Sequence, residues 1–170
     1  MSKEDKIKEL QVRIFDTKSR IISLATNIES QLDVIMAAYF SKNNDDYQLF
    51  CHLFYPIEVG LTFGIKIKIF ENFINKIYPD YLEKINPDLI NSLGRVRRLR
   101  NKFAHSINPK RVELGEILDK PYFILFYTED GLMKNEQIMW NDIDDRFKDF
   151  ENIVDESVKL MEYVQGLRRD

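Results

Sequence analysis

Arg100 and His105 are the two side chains of this sequence best suited to chemistry on a phosphate, and only residues 101–104 separate them. Arginine keeps its charge at any cellular pH and holds a phosphate through two hydrogen bonds. Histidine gives or takes a proton near neutrality. Asn101 follows the arginine directly, an amide able to orient either group. His105 is one of two histidines in 170 residues. These types together meet the needs of phosphodiester cleavage by internal attack of a 2′-hydroxyl, with no metal. A buried structural pair is the alternative role for Arg100.

The element that must carry them is a helix. Asn86-Pro87-Asp88 is a good helix start, with proline in the first turn, and the helix should run to His105 or Ser106 before Asn108-Pro109. At about 100° per residue, Leu89, Leu93, Val96 and Phe103 fall within roughly 60° of Arg100. The arginine is therefore expected on the buried stripe, where its charge needs a partner. Glu29 lies among Ile22, Ala25, Leu32 and Met36 on the first helix and is the expected partner. His105 lies about 140° round from Arg100, beside Arg98, Asn101 and Lys102 on a basic, polar stripe. One phosphate can then meet both groups only at a distorted helix end or across a dimer interface. Basic residues near a helix C-terminus also suit its dipole, a sufficient reason for some of them.

Around this helix the periodicities define the rest. Ile7, Leu10, Ile14, Thr17, Ile21, Leu24, Ile28, Leu32, Ile35 and Tyr39 recur at steps of three and four, which predicts a long amphipathic first helix, bent near Asp16-Thr17. Residues 41–47 are polar and unpatterned, as a loop would be. From Gln48 to Ile77 the chain is apolar with helical spacing, interrupted at Pro56 and Gly60, and Tyr78-Pro79-Asp80 stops it. Tyr122 to Tyr127 is aromatic and β-branched, Glu129-Asp130-Gly131 is a turn, and Leu132 to Trp140 returns as a second strand. Such a hairpin is marginal alone and must lie on helices. Asn141 is expected to cap a last helix with a stripe of Ile143, Phe147, Phe150, Val154, Met161 and Val164. The fold class is mainly α: a four- to five-helix bundle, one domain over 1–170, with a β-hairpin inserted at about 121–140.

Composition sets bounds on function. A net charge of −3 argues against nonspecific coating of nucleic acid, though a local basic site fits. No apolar run approaches the roughly 20 residues of a membrane span. The mixed-charge start is unlike a secretory signal, so no membrane partner and a cytoplasmic location are expected. One cysteine, Cys51, excludes an internal disulfide and fits a reducing compartment. With two histidines and one cysteine, neither a zinc site nor another cofactor is expected. His52 beside Cys51 reads as packed rather than catalytic, Asp142, Asp144, Asp145 and Asp149 as a solvated first turn, and Lys66 and Lys68 as solvent-facing.

Arg100, Asn101 and His105 match the R-x4-6-H motif of the HEPN superfamily, and the segment resembles it in ending a bundle helix. Glu29-Ser30-Gln31-Leu32, Ala38-Tyr39-Phe40 and residues 61–67 look like the mannitol-operon-repressor-like members. The likeness covers about residues 20 to 106. It implies a helical bundle, commonly a homodimer with the two motifs facing, and in many members a metal-independent endoribonuclease of toxin–antitoxin, abortive-infection or antiphage systems. On that reading Arg100 stabilises the scissile phosphate, His105 is general acid or base, Asn101 orients one of them, and Arg97, Arg98 and Lys102 attract the RNA backbone. Other members are noncatalytic modules, including the repressor-like branch. A regulatory module with a structural Arg100 and an antitoxin or other protein partner is the alternative expectation.

Overall fold

The computed structural model describes residues 2–41, 43, 45–46, 48–50, 61–78 and 81–166. The breaks read at Pro56, Gly60 and Pro79, and the packed pair Cys51-His52, lie outside the described residues. The elements are helix α1 (Lys3–Phe40), helix α2 (Phe63–Ile77), a π-helical turn (Tyr81–Ile85), helix α3 (Leu89–Ala104), strand β1 (Ser106–Ile107), helix α4 (Arg111–Ile117), strands β2 (Tyr122–Glu129) and β3 (Leu132–Met139), and helix α5 (Trp140–Gly166). The fold is mainly helical with a small antiparallel sheet in the order β1-β2-β3, so the expected hairpin before the last helix is formed. Among the described residues no helix is long and apolar enough to cross a membrane.

The chain forms two compact units, each made from two separated stretches of sequence: Met1–Leu24 with Arg98–Asp149, and Ala25–Arg97 with Phe150–Asp170. In the first unit, Ile7, Leu10, Ile14 and Ile21 form the buried stripe of α1 at the predicted spacing. The sheet buries Phe123, Leu125 and Tyr127 of β2 at alternate positions, the period of a strand with one covered face. Phe123 is the centre of this core, with Phe103 of α3 at 6.3 Å and the Trp140 ring at 4.6 Å between centroids. Arg13 covers the Trp140 ring at 3.8 Å and Arg20 the Phe147 ring at 4.0 Å, so two exposed arginines close the core with their planar heads.

The second unit buries Ala25, Ile28, Leu32, Ile35 and Met36 of α1, Phe63, Ile67, Phe70, Phe73 and Ile74 of α2, Leu89, Leu93 and Val96 of α3, and Phe150, Ile153, Leu160 and Val164 of α5. Thr62 caps α2, its hydroxyl accepting the Ile65 N–H at 3.4 Å. Asp88 organises the start of α3: its carboxylate accepts from Ser92 at 3.1 Å and Arg95 at 2.6 Å. These bonds, with one from Asn91, hold its carboxyl below the ordinary value. The helix begins at Leu89, just after the predicted start.

α1 runs without a break through Asp16 and Thr17, and Thr17 is buried on its stripe. The structure differs from the expected layout at two points. The last helix starts at Trp140 rather than after an Asn141 cap, and the Trp140 N–H bonds to the Pro121 carbonyl at 3.0 Å. The hairpin also gains a third strand, β1, which pairs Ser106 with Tyr127 and Ile107 with Phe126.

The hairpin turn is set by Asp130 at φ 52° and Gly131 at φ 75°. Two consecutive left-handed residues make the turn whose twist matches the flanking strands. A side chain at 131 meets nothing within 4 Å, so its cost is purely the backbone's. Gly131→Ala is therefore expected to destabilise by about 1 kcal/mol. A shifted denaturation midpoint with unchanged circular dichroism reads this out, and an unchanged midpoint contradicts it.

Candidate active site

The last turns of α3 carry Arg98, Arg100, Asn101, Lys102 and His105, all within the first unit. Leu99 and Phe103 are buried there and anchor the helix, Phe103 through its contact with Phe123. Arg100 sits at the edge of the buried stripe and is half-buried rather than enclosed. Its Nη1 donates to Asn101 Oδ1 at 3.2 Å. Asn101 and His105 are exposed, and the His105 N–H still donates to the Asn101 carbonyl at 3.0 Å. The helical path therefore continues to His105, as expected. Immediately beyond, the Ser106 hydroxyl donates to the Phe103 carbonyl at 2.7 Å, and Lys18 Nζ to the Ser106 carbonyl at 3.1 Å. These two bonds hold the junction where the chain passes from α3 straight into β1.

The motif thus has a hydrogen-bonded base and an exposed tip. Arg100 and Asn101 touch, while the histidine is exposed at the helix end. Among the described residues, the His105 and Arg98 side chains have no hydrogen-bonded or ionic partner, and Arg98 is exposed.

Lys102 departs from its expected place on the open basic stripe. Its ammonium pairs with Glu136 of β3 at 2.5 Å and lies 5.4 Å from the Tyr127 ring centroid. The β2–β3 register sets Glu136 opposite Leu125, on the covered face of the sheet, which brings the carboxylate within reach of α3. Its charge is already matched, whereas Arg98 has no ionic partner among the described residues.

The second unit holds the other two predicted residues. Arg97 is exposed, and its guanidinium lies against Gly64 in the first turn of α2, where any Cβ would collide with it. Glu29, the expected partner of Arg100, accepts from Lys66 through Oε1 at 3.2 Å within the second unit, and Arg100 donates to Asn101 within the first. Lys66 is not solvent-facing. It is only 8% exposed, and its second carboxylate is Asp33 at 2.6 Å, itself 1% exposed. Lys68 is exposed, as predicted.

The sequence reading missed this triad, although a signal was present. Asp33 stands directly after Leu32 on the buried stripe of α1, one turn beyond Glu29. Lys66 stands between Phe63, Ile67 and Phe70 on the buried stripe of α2. Two acids on one apolar stripe and one cation on another require each other when the stripes are buried.

Among the described residues no three His, Cys, Asp or Glu side chains gather as a metal site would need. No family model matches the chain, and no curated protein or solved structure matches it either.

Proposed function

We propose that the chain is a cytoplasmic, homodimeric endoribonuclease of the HEPN type that cleaves without a metal, in a toxin–antitoxin or antiphage setting. The observation that carries the reading is the state of Arg100. A half-buried guanidinium whose hydrogen-bond partner is a neutral amide keeps its full charge for an anion. The exposed His105, one turn further along the same helix, supplies the proton chemistry. The antitoxin and the defence setting come from the resemblance.

In the mechanism, a phosphodiester binds with a non-bridging oxygen on Arg100, whose Nη1 is oriented by Asn101. His105 takes the proton of the 2′-hydroxyl as the oxygen attacks phosphorus, or returns a proton to the departing 5′-oxygen. Two facing motifs of a dimer supply both operations. The 2′-oxygen–phosphorus bond forms and the phosphorus–5′-oxygen bond breaks, leaving a 2′,3′-cyclic phosphate and a 5′-hydroxyl. Arg98 and Arg97 provide local positive potential within an acidic protein.

The test is purified protein incubated with RNA in EDTA, beside Arg100→Ala and His105→Ala. Loss of cleavage in both variants supports the reading, and equal cleavage by all three proteins overturns it. If the wild type cleaves no RNA, the noncatalytic regulatory module is the better description.

A further inference from the structure

β3 is the outer strand of its sheet, and among the described residues no further strand pairs with its free edge. Its register with β2 runs unbroken from Met139 opposite Tyr122 to Leu132 opposite Glu129, so it has no bulge. It contains no proline. Natural edge strands are usually blunted by one of these devices, because a bare edge accepts another strand. The charges beside this edge are Lys134 and Glu136, each already paired within its own chain, Lys134 with Glu129 and Glu136 with Lys102, so a partner strand must continue that alternation of sign.

The turn fixes which backbone groups face outward. Across the two-residue loop, Leu132 N–H bonds to the Glu129 carbonyl, and the direction alternates from there. Leu132, Lys134, Glu136 and Ile138 turn their amides toward β2. Met133, Asn135 and Gln137 turn theirs outward, and all three residues are exposed.

We propose that this edge is a self-association site, where a second copy of the chain pairs antiparallel about a twofold axis at Asn135. The charges select both the partner and the register. Axes between residues would oppose an outward-facing residue to an inward-facing one and exchange the faces of the sheet. An axis at Lys134 sets two lysines opposite each other, and one at Glu136 sets two glutamates opposite, both unfavourable. Axes at Met133 or Gln137 set a charge against Leu132 or Ile138 and shorten the overlap. The axis at Asn135 alone places Lys134 opposite the partner's Glu136 on both sides. It also sets Leu132, which is 66% exposed, opposite the partner's Ile138. The charged pairs fall at the closely spaced, non-hydrogen-bonded positions, where side chains approach best. Because Lys102 is bound to Glu136, the last turn of α3 from each copy lies beside this axis. The association does not depend on the nuclease reading.

The test is light scattering behind a sizing column, on the full chain at micromolar concentration. The wild type is expected at twice 20.3 kDa. Asn135→Pro removes an outward N–H and leaves the β2 ladder intact, so it should run as a monomer with unchanged circular dichroism. Lys134→Glu and Glu136→Lys should each raise the dimer dissociation constant about tenfold, because like charges then face each other twice. Each also breaks a pair within the chain, with Glu129 or Lys102, so circular dichroism must first show both variants folded. An equimolar mixture of those two variants restores opposite charges at both pairs and should recover dimer. A monomeric wild type, a dimer indifferent to Asn135→Pro, or a mixture that stays monomeric overturns the proposal. RNA cleavage measured on the same samples separates the two readings, since a dimer without cleavage removes only the nuclease.

Discussion

Lys66→Met is expected to destabilise the protein by about 3–5 kcal/mol, the cost of leaving buried carboxylate charge without its counterion. The ammonium is 2.6 Å from Asp33 and 3.2 Å from Glu29, and Asp33 is 1% exposed. One of the Asp33 oxygens, Oδ1, is buried without a hydrogen-bond partner, so this carboxylate depends on Lys66 for its compensation. Glu29 is less enclosed and can recover hydration. Removing the anion with the cation tests the cause directly. Asp33→Leu combined with Lys66→Met should regain most of the loss, since a packed apolar pair replaces a buried ionic one at little cost. Urea unfolding followed by circular dichroism gives all three values. A single Lys66→Met variant with the wild-type midpoint would sink the claim.

The same triad gives stability a pH dependence with a definite sign. Burial opposes the charge on Lys66, but the hydrogen bonds and charges of Asp33 and Glu29 outweigh it and raise the ammonium above its ordinary 10.5. A raised lysine contributes its full stabilisation below 10.5 and loses it as pH rises through the folded value. Asp33 works in the other direction. Burial pushes its carboxyl above the ordinary 3.8, with Lys66 offsetting only part. The folded protein therefore holds that proton more tightly than the unfolded chain, and this group adds stability as pH falls toward 3.8. One lysine serving two carboxylates in a dry place explains why both groups hold protons. Alkaline solution above pH 10.5 should accordingly weaken the wild type through Lys66, a loss absent from Lys66→Met.

How far these features can be read from the chain depends on whether their cause is local. The stripe on α1 from Ile7 to Ile35 is legible because one period governs the whole helix, and the hairpin because Asp130-Gly131 marks its turn. β1 is two residues long, and α4 is a seven-residue helix, too short for periodicity to reveal. The helix end at His105 was legible from Asn108-Pro109 beyond it. Pairings are another matter. Wheel geometry sets Glu29 and Arg100 each near an apolar stripe, but only packing decides that Lys66 takes the glutamate. Arg100 then sits at a stripe edge, where a neighbouring amide suffices. Lys102 likewise reads as one of a basic run until the β2–β3 register presents Glu136 to it.

Arg100→Ala and His105→Ala are expected to lower RNA cleavage by about 10²–10⁴-fold each, while both proteins stay folded. The dissociation of activity from stability is the informative part. His105 is exposed, so its truncation leaves no cavity and no orphaned partner. Arg100 is half-buried with one neutral hydrogen bond, whose loss costs about 1 kcal/mol. Neither change approaches the effect at Lys66. Arg100→Lys sharpens the assignment: it keeps the charge but loses the two-pronged geometry, so a phosphate-binding role predicts incomplete rescue. Asn101→Ala should fall between, because it frees Arg100 without removing it. On the proposed mechanism the first-formed products carry 2′,3′-cyclic phosphate and 5′-hydroxyl ends, and hydrolysis can then open the cyclic phosphate to a monoester. A DNA strand of the same sequence, lacking that hydroxyl, must remain intact. If Arg100→Ala instead unfolds the protein as severely as Lys66→Met does, the arginine is structural and the nuclease assignment loses its main support.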